Sequence, residues 1–381
     1  VEAVSVDGSE VRGRRPRETS RALALPRIDD VERGTDADEQ HLEIREIEGT
    51  DAAVLTLLDS QLNYTSANQV KLLLKRAVAH LAEERGRFRY ILNLGGKRLR
   101  PVLVLLSADL YGTSVEEAMP AARAVEIFHN FTLVHDDIMD DAPLRRGQPT
   151  VHEKWDTNTA ILSGDAMLIE AYRELEGYPD GVFKPLMVLF SKTALEVCEG
   201  QRYDMDFETR DDVQISEYLK MIEYKTAVLI GCALKMGALV SGAPGLDQQA
   251  LYSFGIYLGL AFQLQDDYLD VFGDPETFGK QVGGDIIENK KTYLYLKSLE
   301  VATPEESREL QDLYSIQPRD SKAKIQRVSQ IFQTSGAADA TRKKILEYTD
   351  EAFRQLDSLQ LPDAKVAVLR EFGQWLLNRN F

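Results

Sequence analysis

The sequence predicts an all-α fold, a single large domain of ten or more helices. Apolar residues recur at intervals of three and four along most of the chain, as they do on one face of an α-helix. No stretch alternates between apolar and polar residues with the period of two that is typical of a half-buried strand. Glycine and proline clusters separate the periodic segments, which indicates turns between helices.

The helices are predicted in order from their apolar stripes. The first stripe consists of Val70, Leu73, Leu74, Ala77, Val78 and Leu81. The later stripes are Val102–Tyr111, Met119–Met139, Thr159–Leu175, Phe183–Val197, Ile215–Val240, Gln248–Leu269, Tyr293–Ser298, Lys322–Phe332 and Ala337–Leu356. The turn signals between them include Gly95-Gly96, Pro143, Pro179, Pro244, Pro275 and Pro318.

Composition restricts the possible partners. The chain has 381 residues, 44% of them hydrophobic and 28% charged, as in globular proteins. Its net charge of −17 argues against nucleic acid or an anionic membrane surface as the main partner, but not against small anions bridged by cations. No apolar run reaches the roughly 18 residues needed to cross a bilayer, and charges interrupt the N-terminus, so we expect a cytoplasmic protein.

Two cysteines, Cys198 and Cys232, lie in helix-like apolar segments. We expect each to be a small buried hydrophobic residue, because free cysteine is among the most buried residue types. Two cysteines in separate segments indicate neither a disulfide framework nor a zinc site, and they fit a reducing compartment.

Residues 1–60 differ from the rest of the chain. They are rich in Arg, Asp, Glu and Gly and have few apolar positions, so we expect a disordered N-terminal extension. The Arg12–Arg17 run raises the alternative of a targeting or nucleic-acid-binding arm, which the neighbouring acidic residues weaken. Residues 61–381 are predicted to form the catalytic domain.

Two aspartate motifs of the pattern DDxxD point to metal chemistry. The first contains Asp136, Asp137 and Asp140, and the second contains Asp266, Asp267 and Asp270. In a helix the first and last residues of such a motif lie about 40° apart and ~6 Å along the axis, so their side chains project together. Carboxylate oxygens suit Mg²⁺, which commonly also binds waters and substrate phosphates. A diphosphate chelated between the two motifs would complete such a site.

Basic residues occur close to these motifs in the sequence. Lys97 and Arg100 follow a glycine pair at a predicted helix start, where free N–H groups also favour anions. Guanidinium groups make bidentate contacts with phosphate, and two of them follow the first motif directly. The remaining cations of this set are Arg145, Arg146, Lys225, Lys280 and Lys290.

With these segments the chain resembles the trans-isoprenyl diphosphate synthases, the polyprenyl synthetase family of farnesyl and geranylgeranyl diphosphate synthases. The resemblance covers about residues 66 to 380 and depends on segments in the family's order. They are GGKRLRP, FHNFTLVHDDIMDDAPLRRGQPTVH, GD followed by EYKTA, FQLQDDYLDVFGD and GKQVGGDIIENKKTYL. It implies a helical domain of the isoprenoid synthase type around a central apolar cavity, and a homodimer.

The resemblance also implies a reaction and its cofactor. Isopentenyl diphosphate is condensed with an allylic diphosphate (dimethylallyl, geranyl or farnesyl), and three Mg²⁺ ions per site are expected. The six motif aspartates would bind Mg²⁺ and the allylic diphosphate. Thr226 and Gln263 would border the reacting carbons, with Lys225 as the third catalytic residue.

The same resemblance assigns each basic residue to one of the two diphosphates. Arg145, Lys225 and Lys280 would contact the allylic diphosphate, and Lys290 flanks the same loop. The isopentenyl diphosphate would be held by Lys97, Arg100, His129 and Arg146. A lone histidine on an apolar helix is more often structural, but His129 lies seven residues before Asp136 on the same helical face.

Product length is predicted from the residues beneath the first motif. Five residues back from Asp136 is ~7.5 Å along a helix, which places Phe131 as the floor of the cavity, with the smaller Thr132 one residue nearer. In the family an aromatic residue only at the deeper position accompanies one type of geranylgeranyl synthase. We therefore predict a C15 to C20 product and favour C20. The alternative is that Phe131 only packs in the core and Phe128 sets the limit.

Three other functions are weighed against this one. A class I terpene cyclase shares the first motif but has neither a second DDxxD nor the Lys97 and Arg100 segment. A non-catalytic partner subunit usually lacks one aspartate motif, whereas both are present here. A helical metal-binding protein explains the carboxylates but not the cations.

Overall fold

The computed structural model describes residues 87–273 and 282–377. All of them belong to one compact unit of the chain, Glu46–Phe381. The predicted extension over residues 1–60, the stripe between residues 70 and 81, and Lys280 lie outside the described residues.

The all-α prediction is confirmed. In the described ranges the only strands are a pair of two residues each, Leu144–Arg145 (β1) and Gln148–Pro149 (β2), which are antiparallel with Leu144 opposite Pro149. The α-helices are α1 Arg87–Asn93, α2 Leu99–Asp109, α3 Val115–Met139, α4 Val151–Lys154, α5 Thr157–Arg173, α6 Asp180–Thr209, α7 Ile215–Ile222, α8 Val228–Val240, α9 Gly245–Phe272, α10 Gly284–Ile287, α11 Tyr293–Val301, α12 Pro304–Tyr314, α13 Lys322–Thr334, α14 Ala337–Asp357 and α15 Asp363–Leu377.

Two long helices, α3 and α9, organise the packing. Helix α3 contacts α2 and α5, whereas α9 contacts α8 and α14, and α8 joins the two groups through its contacts with α2 and α3. A capping box starts α3: the Ser114 hydroxyl accepts from the Glu117 N–H, and the Glu117 carboxylate accepts from the Ser114 N–H. From there α3 runs through the core to its last turn at Met139, where the first aspartate motif lies.

Three features of the fold differ from the sequence predictions. The apolar stripes missed α12 and α15, as well as the short helices α1, α4 and α10. Helix α12 buries only Leu310 and Tyr314, so its stripe is weak, and it is identified better by its Thr303–Glu306 capping box.

The expected burial of both cysteines is wrong for Cys198, which is exposed on α6, while Cys232 is buried.

The third difference is the segment between α7 and α8. A continuous helix was predicted over Ile215–Val240, but Glu223–Ala227 forms a π-helical turn. Such turns are rare and occur frequently at functional sites.

Among the described helices, none combines the length and the apolarity that crossing a membrane requires.

Candidate active site

The two aspartate motifs lie in the last turns of α3 and α9. The unpaired carbonyl groups at a helix C-terminus carry partial negative charge, so carboxylates are unfavourable there without compensating cations. Asp140 is the residue that follows α3, and its N–H still donates to the Asp136 carbonyl at 2.9 Å. The predicted placement of Asp136 and Asp140 on one face therefore holds to the end of the helix.

Cations compensate the first motif directly. The Arg145 Nε lies 2.8 Å from both carboxylate oxygens of Asp137, and a terminal guanidinium nitrogen lies 2.6 Å from one of them. The same guanidinium is 3.6 Å from Asp136, whose other oxygen is 3.5 Å from the Lys225 Nζ. Asp137 is 1% exposed, so its charge is buried and held by one bidentate partner.

Lys225 reaches this motif because of the π-helical turn. A Cβ at Gly200 would lie 2.3 Å from the Lys225 backbone nitrogen, so glycine permits α6 to approach the turn closely. One turn further along α6, Asp204 accepts from Lys225 at 2.5 Å. Burial disfavours the ammonium charge, but Asp204 and Asp136 together raise the pKa of Lys225 above its ordinary value.

In the second motif, neutral donors hold Asp267. The Asp267 carboxylate accepts from the Tyr218 hydroxyl and, at 3.0 Å, from the Gln263 amide. Burial, added to the charges of Asp266 and Asp270, raises the pKa of Asp267 to about 7 despite these hydrogen bonds.

Asp285 adds a further carboxylate to the second motif. Its N–H donates to Asp270 at 3.0 Å, and burial together with Asp267 and Asp270 raises its pKa to about 8. Crowding of these buried carboxyls therefore favours the protonated form of Asp267 and Asp285.

A cavity of about 1260 Å³ lies between the two motifs. Asp140 lines it on one side and Asp267 on the other. Burial and the neighbouring Asp136 raise the pKa of Asp140 to about 6. Other predicted site residues that line the cavity are Lys225, Thr226, Gln263 and Lys290.

Thr226 and Gln263 form a polar pair on the cavity wall. The Thr226 hydroxyl donates to the Gln263 side-chain oxygen at 3.1 Å, while the Gln263 amide donates to Asp267. This chain of hydrogen bonds fixes the orientation of the amide. Lys290 lies at the opposite rim, 3.0 Å from Glu288.

The remaining basic residues form a separate cluster around His129. Burial, followed by the charges of Arg100, Arg146, Arg98 and Arg145, holds the pKa of His129 well below its ordinary value, so the imidazole is neutral. The Nε of Arg100 is buried and has no hydrogen-bond partner among the described residues.

The glycine pair before α2 shapes this cluster. The Arg146 guanidinium donates to the Gly95 carbonyl, and a Cβ at Gly96 would lie 2.8 Å from that guanidinium. Gly96 also has φ of +134°, which side chains disfavour. Lys97 is exposed and precedes α2, whereas Arg100 lies in the first turn of α2.

The two residues predicted to set product length lie below the first motif. Phe131 is 7% exposed, and its ring centroid is 5.4 Å from that of Phe128 and 4.9 Å from that of His135. Phe128 in turn contacts Phe190 at 5.3 Å, which makes a continuous aromatic layer. In the described part of the chain, neither Phe131 nor Thr132 lines the cavity between the motifs.

Sequence reasoning missed Asp204, Tyr218 and Asp285 as site residues. The sequence carries a signal for two of these three residues. Asp204 stands one helical turn after Gly200 in Glu199-Gly200-Gln201, and Asp285 follows the glycine pair Gly283-Gly284. Tyr218 gives no such signal, because a tyrosine on an apolar helix face is ordinarily a core residue.

Comparison with known proteins identifies the family. Residues 85–332 match the family described as polyprenyl synthetase. A geranylgeranyl diphosphate synthase of Methanosarcina mazei is 38% identical over 299 residues, which cover 77% of this chain and 89% of the relative. A geranylfarnesyl diphosphate synthase of Natronomonas pharaonis is 36% identical over 312 residues, with the same shares of 77% and 89%.

A solved structure agrees with these relatives. The crystal structure of a geranylgeranyl pyrophosphate synthase is 50% identical, covers 86% of this chain and 99% of its own, and superposes with a TM-score of 0.74. The resemblance inferred from the sequence motifs is confirmed. The chain is therefore a prenyltransferase and belongs to the polyprenyl synthetase family.

Proposed function

We propose that this prenyltransferase condenses isopentenyl diphosphate with allylic diphosphates and that its main product is the C20 geranylgeranyl diphosphate. One observation carries the assignment of the site. Asp140 of the first motif, Asp267 of the second and Lys225 line a common cavity, and an arginine cluster surrounds His129. Such a site is able to bind two diphosphates, one beside the aspartate motifs and one at the arginine cluster.

Magnesium fits the residues of the cavity, and the family is magnesium-dependent in general. The donors are carboxylate oxygens, which Mg²⁺ prefers. The raised pKa values of Asp140, Asp267 and Asp285 indicate negative charge that a cation would compensate. When bound, Mg²⁺ would neutralise the leaving diphosphate. We propose three ions per site.

The contacts divide the six motif aspartates into two kinds. Asp137 is held by Arg145, and Asp267 is held by Tyr218 and Gln263. We assign the direct ligand role to the outer members of each motif, whose side chains project together because they lie about one helical turn apart. These outer residues are Asp136, Asp140, Asp266 and Asp270. The inner aspartates then orient the ligands and the cations around them.

The arginine cluster is the proposed site for isopentenyl diphosphate. Arg100 has a buried nitrogen without a partner, and Arg146 projects beside it from the β-hairpin. A bound diphosphate would supply the missing acceptor and compensate several guanidinium charges. His129, held neutral, is able to donate one hydrogen bond to it, and exposed Lys97 would cover the outer side.

The chain's own residues then explain the reaction. Lys225 and Arg145 are positioned to stabilise charge on the allylic diphosphate as its C–O bond breaks. Lys280 and Lys290 belong to the same proposed set. The isopentenyl double bond attacks the allylic cation, and a proton passes to the departing diphosphate oxygen. The oxygens of Thr226 and Gln263 stabilise the cation, and the cavity excludes water that would trap it.

The function is tested by incubating the protein with labelled isopentenyl diphosphate, dimethylallyl diphosphate and Mg²⁺. We expect linear prenyl diphosphates, mainly C20. A cyclic hydrocarbon would identify a terpene cyclase instead. If no longer prenyl diphosphate forms, the proposed function is wrong and the protein fits a partner subunit.

Product length is assigned to the aromatic layer headed by Phe131. Replacing this residue in Phe131→Ala opens space above Phe128 and Phe190, so we expect products at least one isoprene unit longer. The reverse change, Thr132→Phe, adds a second aromatic ring below the first motif and should shift the product to C15. Chromatography of the products measures both. Unchanged products from Phe131→Ala would remove Phe131 from the assignment and favour Phe128 as the limit.

We also propose a homodimer in the cytoplasm. Helices α5 and α6 expose large apolar side chains spaced seven residues apart, Leu162 and Ile169 on α5 and Val188 and Leu195 on α6, each at least 60% exposed. Apolar patches of this kind commonly mark protein–protein contacts. Light scattering should give the dimer mass for wild type and a lower mass for Leu195→Glu. The matched control, Leu246→Glu on α9, should stay dimeric.

A further inference from the structure

A third group of metal-ligating side chains lies at the edge of the cavity, whose lining includes Asp141 but neither His152 nor Glu153. Asp141, His152 and Glu153 each offer one ligand atom, and these atoms lie within 4.8 Å of one another. Asp141 follows the end of α3, whereas His152 and Glu153 belong to α4, beyond the β-hairpin. Both carboxylates are exposed. The group joins two segments that are separate in sequence.

His152 gives independent evidence that this group binds a ligand. Its side chain is 7% exposed, and both ring nitrogens are buried without a hydrogen-bond partner among the described residues. The nearest carboxylate oxygen, on Glu153, is 3.9 Å from Nε2, too far for a hydrogen bond. Burying polar atoms without partners is unfavourable, and native proteins rarely do so. A metal ion among the three side chains would give the imidazole its missing partner.

The chemistry of the donors separates this group from the aspartate motifs. The motifs offer only oxygen, which suits Mg²⁺, whereas this group combines one imidazole nitrogen with two carboxylates. Imidazole favours Zn²⁺ and other transition metals. We propose that Asp141, His152 and Glu153 form an accessory site for one transition metal ion of the Zn²⁺ class.

The surrounding structure gives the site a structural role. The Thr150 hydroxyl donates to the Ala142 carbonyl at 2.8 Å, and the Thr150 N–H donates to the Pro143 carbonyl at 3.2 Å. These bonds hold the start of α4 beside the end of α3 and so bring the three side chains near one another. The bound ion joins the base of the β-hairpin that carries Arg145 and Arg146 to the end of the first motif.

The test measures metal binding rather than prenyl transfer. Protein without an affinity tag is saturated with Mg²⁺ and titrated with Co²⁺, whose visible absorption reports nitrogen ligation. Wild type is expected to bind one equivalent with this signal. His152→Gln and Glu153→Gln should each weaken that binding at least ~10-fold. Exposed Glu176→Gln is the matched control and should leave it unchanged.

The two variants keep the test decisive. Glu153 is 52% exposed, so Glu153→Gln should fold even if removal of the buried imidazole does not. Zn²⁺ should displace Co²⁺ from the wild-type site and raise the unfolding temperature of wild type more than that of Glu153→Gln. Wild type without the Co²⁺ signal, or variants that bind Co²⁺ as tightly as wild type, would overturn the proposal.

Discussion

The two DDxxD motifs have the same sequence pattern, but their middle aspartates, Asp137 and Asp267, have different partners. In the first motif, charged partners hold the carboxylates: Arg145 contacts both Asp137 and Asp136, and Lys225 contacts Asp136. In the second motif, the described partners of Asp267 are a tyrosine hydroxyl and a glutamine amide. The pattern alone therefore does not reveal how each motif balances its charge.

The two motifs therefore differ in how their charge is balanced, although residues of both line one cavity. Cations fixed in the protein, Arg145 and Lys225, contact the first motif directly. The second motif holds protons instead, because burial and crowding raise the pKa of Asp267 to about 7 and that of Asp285 to about 8. Metal binding requires ionised carboxylates, so the second motif should exchange protons for metal.

The largest effect is expected from the outer aspartates, which we propose as ligands in both motifs. Asp136→Asn and Asp266→Asn should each lower kcat by about 10³-fold, the upper range for loss of a group that stabilises transition-state charge. Steady-state kinetics at saturating Mg²⁺ measures both. If one variant retains wild-type kcat, the two motifs do not share the proposed role.

The next prediction compares the loss of a charged partner, Arg145 at Asp137, with the loss of a neutral partner, Tyr218 at Asp267. Arg145→Met leaves the buried Asp137 carboxylate without its cation, which should cost about 3 kcal/mol of folding stability. Tyr218→Phe removes one neutral donor from Asp267, which is able to protonate, so the cost should be about 1 kcal/mol. Urea unfolding midpoints without Mg²⁺ compare the two. Equal losses would contradict the difference between the motifs.

The smallest effect is a pH dependence that the second motif should dominate. The folded-state pKa of Asp285, about 8, lies above its ordinary value of 3.8, so the folded protein binds more protons than the unfolded chain between these values. Stability should therefore fall as pH rises from about 4 to 8, because the folded protein must release the extra proton over this range.

Thermal unfolding without metal measures this slope between pH 6 and pH 8. Asp285→Asn removes the titrating group and should flatten the slope, as should saturating Mg²⁺ in wild type. A slope that is unchanged in Asp285→Asn would show that another group titrates there.

Much of the fold and of the motif chemistry was predictable from sequence. Periodicity identified α3 and α9 because their apolar stripes are long, and spacing identified both aspartate motifs. Helix α12 was missed because its stripe is weak, and the π-helical turn was missed because it arises from packing. Gly200 permits that packing, but a single glycine inside a helix does not reveal which element approaches it.

The partners of the motifs were less predictable, because they depend on tertiary contacts. Tyr218 lies 49 residues before Asp267, and Asp204 lies 21 residues before Lys225. No local pattern links either pair. Whether a carboxylate is paired with a cation or with a neutral donor is decided by such distant contacts.

Proton release on Mg²⁺ binding tests the difference between the motifs most directly. Isothermal titration at pH 7, in two buffers with different ionisation enthalpies, counts the protons that leave as Mg²⁺ binds. We predict release of about one proton per subunit in wild type and markedly less in Asp285→Asn. A binding heat that does not depend on the buffer would mean that no proton is released, and it would contradict a protonated second motif.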